Sequence, residues 1–103
     1  MDQVSVFKAL GNESRLNILR WLKDPERHFG SAATEECRQR RDKGVCVGAI
    51  QEKLGLCQST ASHYLAVLEQ AGLVVARRCG QWTYYERNED AIRSLSEFLN
   101  KQL

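Results

Sequence analysis

Proline is scarce in this chain, and CxxC pairs and long apolar runs are missing. The 103 residues include one proline and four cysteines. No two cysteines form a CxxC pair; they stand alone as Cys37, Cys46, Cys57 and Cys79. The start, MDQVSVFKAL, carries an acidic residue at position 2 and no extended apolar stretch. Neither a signal peptide nor a bilayer span is therefore expected, and a cytoplasmic location follows by default. In a chain that is not secreted, four scattered cysteines argue against a disulfide framework. No nucleophile–base pair, glycine-rich phosphate loop or paired-carboxylate motif stands out, which argues against an enzyme. Charge of one sign is not in large excess either: the net charge is +2 and the pI about 8.4. That balance fits a localised attraction to phosphate, although many proteins without a nucleic-acid partner share it.

What is present is an ordinary globular composition, 43% hydrophobic and 27% charged. The length supports one domain over residues 1–103, with a real core that dimerisation would help. Val4, Phe7 and Leu10 recur at helical spacing before Gly11. Asn12 is a good N-cap for a helix over about 13–23, where Leu16, Leu19 and Leu22 mark one face with Ile18 beside them. Asp24-Pro25 ends that helix. Residues 25–43 form a polar insertion with almost no apolar periodicity. The pairs Glu36–Arg40 and Glu35–Arg38 allow a short solvated helix there. The run Arg38, Arg40, Arg41, Lys43 reads as a solvated face before it reads as a phosphate contact.

The most informative stretch follows. In IQEKLGLCQSTASHYLAVLEQAGL, residues 50–73, a helix ends at Gly55, a short turn holds Leu56 to Gln58, and a second helix runs from about Gln58 to Gln70. Val47, Ile50 and Leu54 make the inner face of the first of these; Ala61, Leu65 and Leu68 face inward on the second. This is a helix-turn-helix, which presents side chains to the DNA major groove. Gln58, Ser59, Thr60, Ser62 and His63 lie near the N-terminal end of the second helix. Small hydroxyls there approach a phosphate or base edge closely. Leu73 to Arg78 and Trp82 to Arg87 read as two strands joined by Cys79-Gly80-Gln81, a hairpin directly after the reading helix. Such a hairpin is a wing, and Arg77, Arg78 and Gln81 near its tip are placed to touch an adjacent backbone or minor groove. Asn88 caps a last helix with Ile92, Leu95 and Leu99 as its apolar stripe and Phe98 beside it. An apolar stripe with no further chain to cover it points to a second copy, paired through the first helix at Phe7 and the last at Ile92, Leu95 and Leu99.

Four helices, a wing and a final helix make the fold class mostly α with a small β-hairpin, a winged helix-turn-helix. With that order in hand, ALGNESRLNIL (9–19), LGLCQSTASHYLAVLEQAGLV (54–74) and RRCGQWTYYERN (77–88) resemble the corresponding motifs of the arsenic-repressor (ArsR/SmtB-type) regulators. The resemblance covers nearly all of the chain apart from roughly 25–43. It implies a homodimer on a pseudo-palindromic operator and repression that ends when an inducer binds or a thiol reacts. It also implies that Gln58, Ser59, Thr60, Ser62 and His63 face the major groove while Arg77, Arg78 and Gln81 serve the wing. Relatives that sense arsenite or lead carry a CVC-type box; here the stretch reads Cys46-Val47-Gly48, with Gln51 where a further cysteine often lies. Soft-metal capture needs several converging thiolates, so Cys46 alone is a weak metal ligand. Relatives that sense zinc place Asp and His on the last helix; here Glu89 fits, but Ala91 and Gln102 stand in the histidine positions. No resident cofactor is expected, and arsenite or another soft ion remains an open inducer.

The cysteines offer another route. Cys57 takes the place of a capping Ser at the mouth of the reading helix, and a thiol at a helix N-terminus has a lowered pKa. Cys79 sits beside Arg77 and Arg78, which favours thiolate. Cys37 and Cys46 approach each other if the insertion is flexible, as a regulatory disulfide or with another thiol around arsenite. The competing readings are a regulator without cysteine-based sensing and a winged-helix module that packs on a protein. His28 reads as an exposed loop residue rather than a ligand paired with Cys37.

Overall fold

The computed structural model describes residues 2–30, 44–80 and 82–103, the Cys79 side chain excepted. The expectations for Cys37, Gln81 and the 31–43 part of the insertion lie outside those residues. Helix α1 spans Gln3–Leu10. The Asp2 side chain caps it by accepting from the Val4 N–H (3.3 Å) and the Ser5 hydroxyl (2.7 Å). Helix α2, Glu13–Lys23, starts on the Asn12 side chain, whose Oδ1 accepts from the Arg15 N–H at 3.0 Å. It buries Ile18, Leu19 and Leu22, while Leu16 remains 39% exposed.

Helix α1 turns Val6 and Ala9 into the core, whereas Val4 and Phe7 of its apolar recurrence stay 60% and 40% exposed. A small and a β-branched residue let this short helix approach the core closely, and the larger apolar side chains are left on the outside. Helix α2 ends at Lys23, as Asp24-Pro25 predicts, and residues 25–30, α3 as far as described, are helical. A proline suits the first turn of a helix, because its ring pre-sets φ and that turn has no use for its missing N–H. His28 is consequently half-buried in a helix, not exposed in a loop. Phe29 meets Trp21 edge-on at 6.2 Å between centroids.

A two-residue strand, β1 (Val45–Cys46), precedes α4 (Val47–Leu54). Helix α4 ends at Gly55 in the left-handed conformation, φ +69°, whose N–H reaches the Gln51 and Glu52 carbonyls. Helix α5 (Gln58–Gln70) follows, then β2 (Val74–Cys79), β3 (Trp82–Arg87) and α6 (Glu89–Gln102). The sheet order is β1-β3-β2, all antiparallel, so the wing hairpin has a third strand that its own sequence did not announce. Cys79 pairs with Trp82 at the end of the hairpin, and Gly80 beyond it takes φ +63°. The core gathers Ile18, Val45, Ile50, Leu65, Leu68 and Leu73 at full burial. Asn88 ties the last helix to it: its side-chain oxygen accepts from the Ala91 N–H (3.2 Å), and its amide donates to the Gly72 carbonyl (2.9 Å).

Gly44 is the tightest position beside β1. A Cβ there would stand 2.9 Å from the Tyr84 Cβ and 3.2 Å from the Tyr85 carbonyl oxygen. Neither neighbour is the loose end of a side chain. A Gly44→Ala protein is expected to lose about 1–3 kcal/mol of stability through this overpacking. Urea denaturation checks it, and an unchanged midpoint would show that β1 can shift away without cost.

Candidate nucleic-acid interface

Helix α5 is held by its inner side. Ala61, Leu65 and Leu68 are fully buried, and α4 and α2 pack against it. The opposite side is open: Gln58, Ser59, Ser62, His63, Ala66 and Gln70 are all exposed. Positions 59, 63, 66 and 70 follow the 3.6-residue period, so they form one strip along the helix. No acidic residue stands in the first turn of α5. The partial positive charge of that helix end is therefore unopposed locally and favours an approaching phosphate.

The N-cap is Cys57, and its side chain makes no cap bond to the backbone. The thiol turns instead to two hydroxyls, 3.3 Å from Ser59 Oγ and 3.1 Å from Thr60 Oγ1. Thr60 is half-buried in this arrangement. The Ser59 hydroxyl first, then that of Thr60, stabilises the thiolate and brings the pKa from the usual 9.0 to about 7. The place of this thiol at the mouth of the helix was readable from the sequence. The Ser59 and Thr60 hydroxyls, which lower its pKa ahead of the Thr60 backbone, were not.

On the wing, Arg77 and Arg78 are exposed. Arg77 Nε bonds Glu86 Oε1 across the hairpin at 2.8 Å, which ties its guanidinium to β3. Cys46 caps α4 without a side-chain bond and is half-buried. Among the described residues, no three His, Cys, Asp or Glu side chains gather as a metal-ion cluster. Two groupings escaped sequence reasoning because their parts are distant in the chain. Arg15 lies across the end of α1 and over the Tyr64 ring (5.5 Å), and the Lys53 ammonium sits over Trp21 at 5.1 Å. No sequence periodicity reports such pairings.

A helix, a glycine turn, an exposed second helix anchored in the core and a following hairpin define a winged helix-turn-helix DNA-binding transcriptional regulator. The family model for bacterial regulatory proteins of the arsR family matches residues 41–75. The HTH-type transcriptional regulator YbzH of Bacillus subtilis is 52% identical over 103 residues, which is the whole of both chains. The transcriptional activator HlyU of Vibrio cholerae is 31% identical over 98 residues, 95% of this chain and 74% of that protein. Among solved structures, the homodimeric winged helix-turn-helix DNA-binding domain of Mycobacterium bovis Mb0332 superposes with a TM-score of 0.65 at 33% identity. It covers 94% of this chain and 74% of that one. The chain belongs to the ArsR family of regulators, and members of this family are not enzymes. Among the described residues, no helix is long and apolar enough to cross a membrane.

Proposed function

We propose that residues 1–103 form one winged-helix domain that works as a cytoplasmic homodimer, represses transcription from a pseudo-palindromic operator and is released by reaction at Cys57. The observation that carries this reading is the exposed strip on α5, with Ser59, Ser62 and His63 open on a helix locked from behind. In this reading Gln58, Ser59, Thr60, Ser62 and His63 enter the major groove, and Arg77, Arg78 and Gln81 meet the flanking backbone. The homodimeric state of the Mb0332 domain supports a pair of reading helices. A pair bound across a promoter blocks polymerase simply by occupying its site. HlyU is named an activator, and that likeness favours a second reading in which the same dimer recruits polymerase. A reporter behind the operator separates the two by the sign of the change when the gene is deleted.

Binding itself is tested by fluorescence anisotropy on the upstream DNA of the gene and on a random duplex of equal length. Ser62→Ala or His63→Ala is expected to weaken the operator complex by about 1–3 kcal/mol, roughly 5- to 150-fold, if a base contact is lost. The random duplex should be held as before. Arg78→Gln should weaken both duplexes alike and flatten the salt dependence by about 0.9 in the log–log slope. A docking surface for a protein would respond to neither substitution in this pattern, and its affinity would barely change with salt.

A further inference from the structure

Beside the reading helix lies an open cleft of about 420 Å³, bounded by α1, the start of α2 and the second half of α5. Its ionisable lining is wholly basic: Lys8 from α1, Arg15 from α2 and His63 from α5, with Gln70 as a neutral donor and Ser5, whose hydroxyl is held by Asp2, at the edge. Residues seven apart in the chain, and one 48 further on, converge here without an acidic neighbour in the lining.

Arg15 is fixed in place. Its Nε donates to the Ala9 carbonyl at 2.7 Å and its Nη2 to the Lys8 carbonyl at 3.2 Å, and the guanidinium lies over Tyr64. A guanidinium has five N–H donors; among the described residues two are spent on these carbonyls, which leaves three. A planar cation held this way loses little freedom when it binds an oxyanion. Lys8 is exposed beside it, a mobile point charge next to a rigid fork.

His63 decides where the cleft opens. It lines the cleft and also belongs to the exposed strip of α5. A helix in the major groove, about 12 Å wide, has a phosphate chain on either side. A basic cleft along one flank of that helix therefore faces one of those chains. We propose that this cleft grips a backbone phosphate of the bound duplex through Lys8 and the unspent edge of Arg15, a contact separate from those of the strip and the wing. The inference rests on the DNA-binding reading above. It makes Lys8 and Arg15 affinity residues without sequence preference, since a phosphate carries no base information.

The test uses the full chain with operator and random duplexes over 50–300 mM salt. Lys8→Gln should lower affinity for both duplexes about three- to tenfold and reduce the log–log salt slope by about 0.9, one counterion. Lys8→Arg should restore both quantities. Lys101→Gln, on α6 and outside the cleft, should leave the slope as it is. Ethylating single operator phosphates should reveal one position whose modification weakens the wild type but not the Lys8→Gln protein. If the wild type binds with a steep salt slope and Lys8→Gln keeps that slope, the cleft holds no phosphate, although the DNA reading stands. If the wild type shows no salt-dependent binding to either duplex, both the cleft and the reading beneath it are wrong.

Discussion

A Leu99→Glu protein will be folded, monomeric and bound to its operator at least a hundredfold more weakly than the wild type. Helix α6 leaves most of its surface uncovered. Of its 14 residues only Ala91 is buried, while Ile92 and Leu95 lie half-buried against the core. Phe98 reaches across to Phe7 of α1, 6.2 Å between ring centroids. Outward from that contact, Leu99 is 43% exposed, Phe7 40% and Val4 60%. The two terminal helices thus share one apolar surface that the chain itself does not cover, and contiguous apolar patches of this kind mark interaction sites. A second copy seated on it would bury these residues at about 25 cal/mol per Å² of apolar area. A carboxylate at position 99 would have to be desolvated without a partner, which costs several kcal/mol. Each monomer would then hold its half-site alone. The advantage of two linked half-sites, about 10²–10⁴ in affinity, would be lost. Because Leu99 lies outside the core, thermal unfolding should be little affected apart from the loss of dimer linkage. Light scattering gives the mass and anisotropy the affinity. A dimer mass unchanged by the substitution would mean that the interface is elsewhere.

The same surface shows how far the sequence could be read. Helices α2, α4 and α5 were legible within a residue or so. Their signals are local: Asn12 as cap, Gly55 as stop, and the 3.6-residue recurrence of Ile18, Leu22, Leu65 and Leu68. The wing strands were legible from alternation and β-branched or aromatic content. In α1 the apolar recurrence was legible but its inner face was not: the core takes Val6 and Ala9 and leaves Val4 and Phe7 outside. Strand β1 could not have been found in its own residues, since it exists only through pairing with Tyr84 and Tyr85. Pro25 carries two meanings, stop and first turn, and both apply: α2 ends at Lys23 and α3 begins at Pro25. The reading strip on α5 was visible as a string of small polar residues. The Lys8, Arg15 and His63 cleft was not, because it assembles from three helices.

Alkylating Cys57 will cost the protein its grip on the operator, and the reaction will titrate near pH 7 rather than near 9. The thiol is fully exposed at the first turn of the reading helix, with Ser59 Oγ at 3.3 Å and Thr60 Oγ1 at 3.1 Å. Both hydroxyls stabilise the anion, Ser59 the more, and set the pKa at about 7. At neutral pH roughly half of the population is thiolate, against a few per cent for an ordinary cysteine. With iodoacetamide the thiolate sulfur displaces iodide and forms an S–C bond, so the rate tracks the thiolate fraction. A protein with Cys37, Cys46 and Cys79 replaced by Ser isolates the reaction. Its rate should rise with pH to half-maximum near 7, and a further Ser59→Ala change should move that midpoint upward. The lowered pKa also fixes the sign of the stability dependence. The folded chain ionises before the unfolded one, so this group adds stability above the unfolded value, near 9, and loses it as pH falls through 7. The carbamidomethyl group then stands beside Ser59, in the space a base edge or phosphate must occupy. Operator affinity should fall about 5- to 150-fold, the worth of one base contact. Cys57→Ser supplies the contrast: serine is a favoured N-cap, so that protein should bind DNA normally and ignore the reagent. If the alkylated protein binds as tightly as before, reaction at Cys57 is not what releases the DNA, even if the thiol titrates as expected.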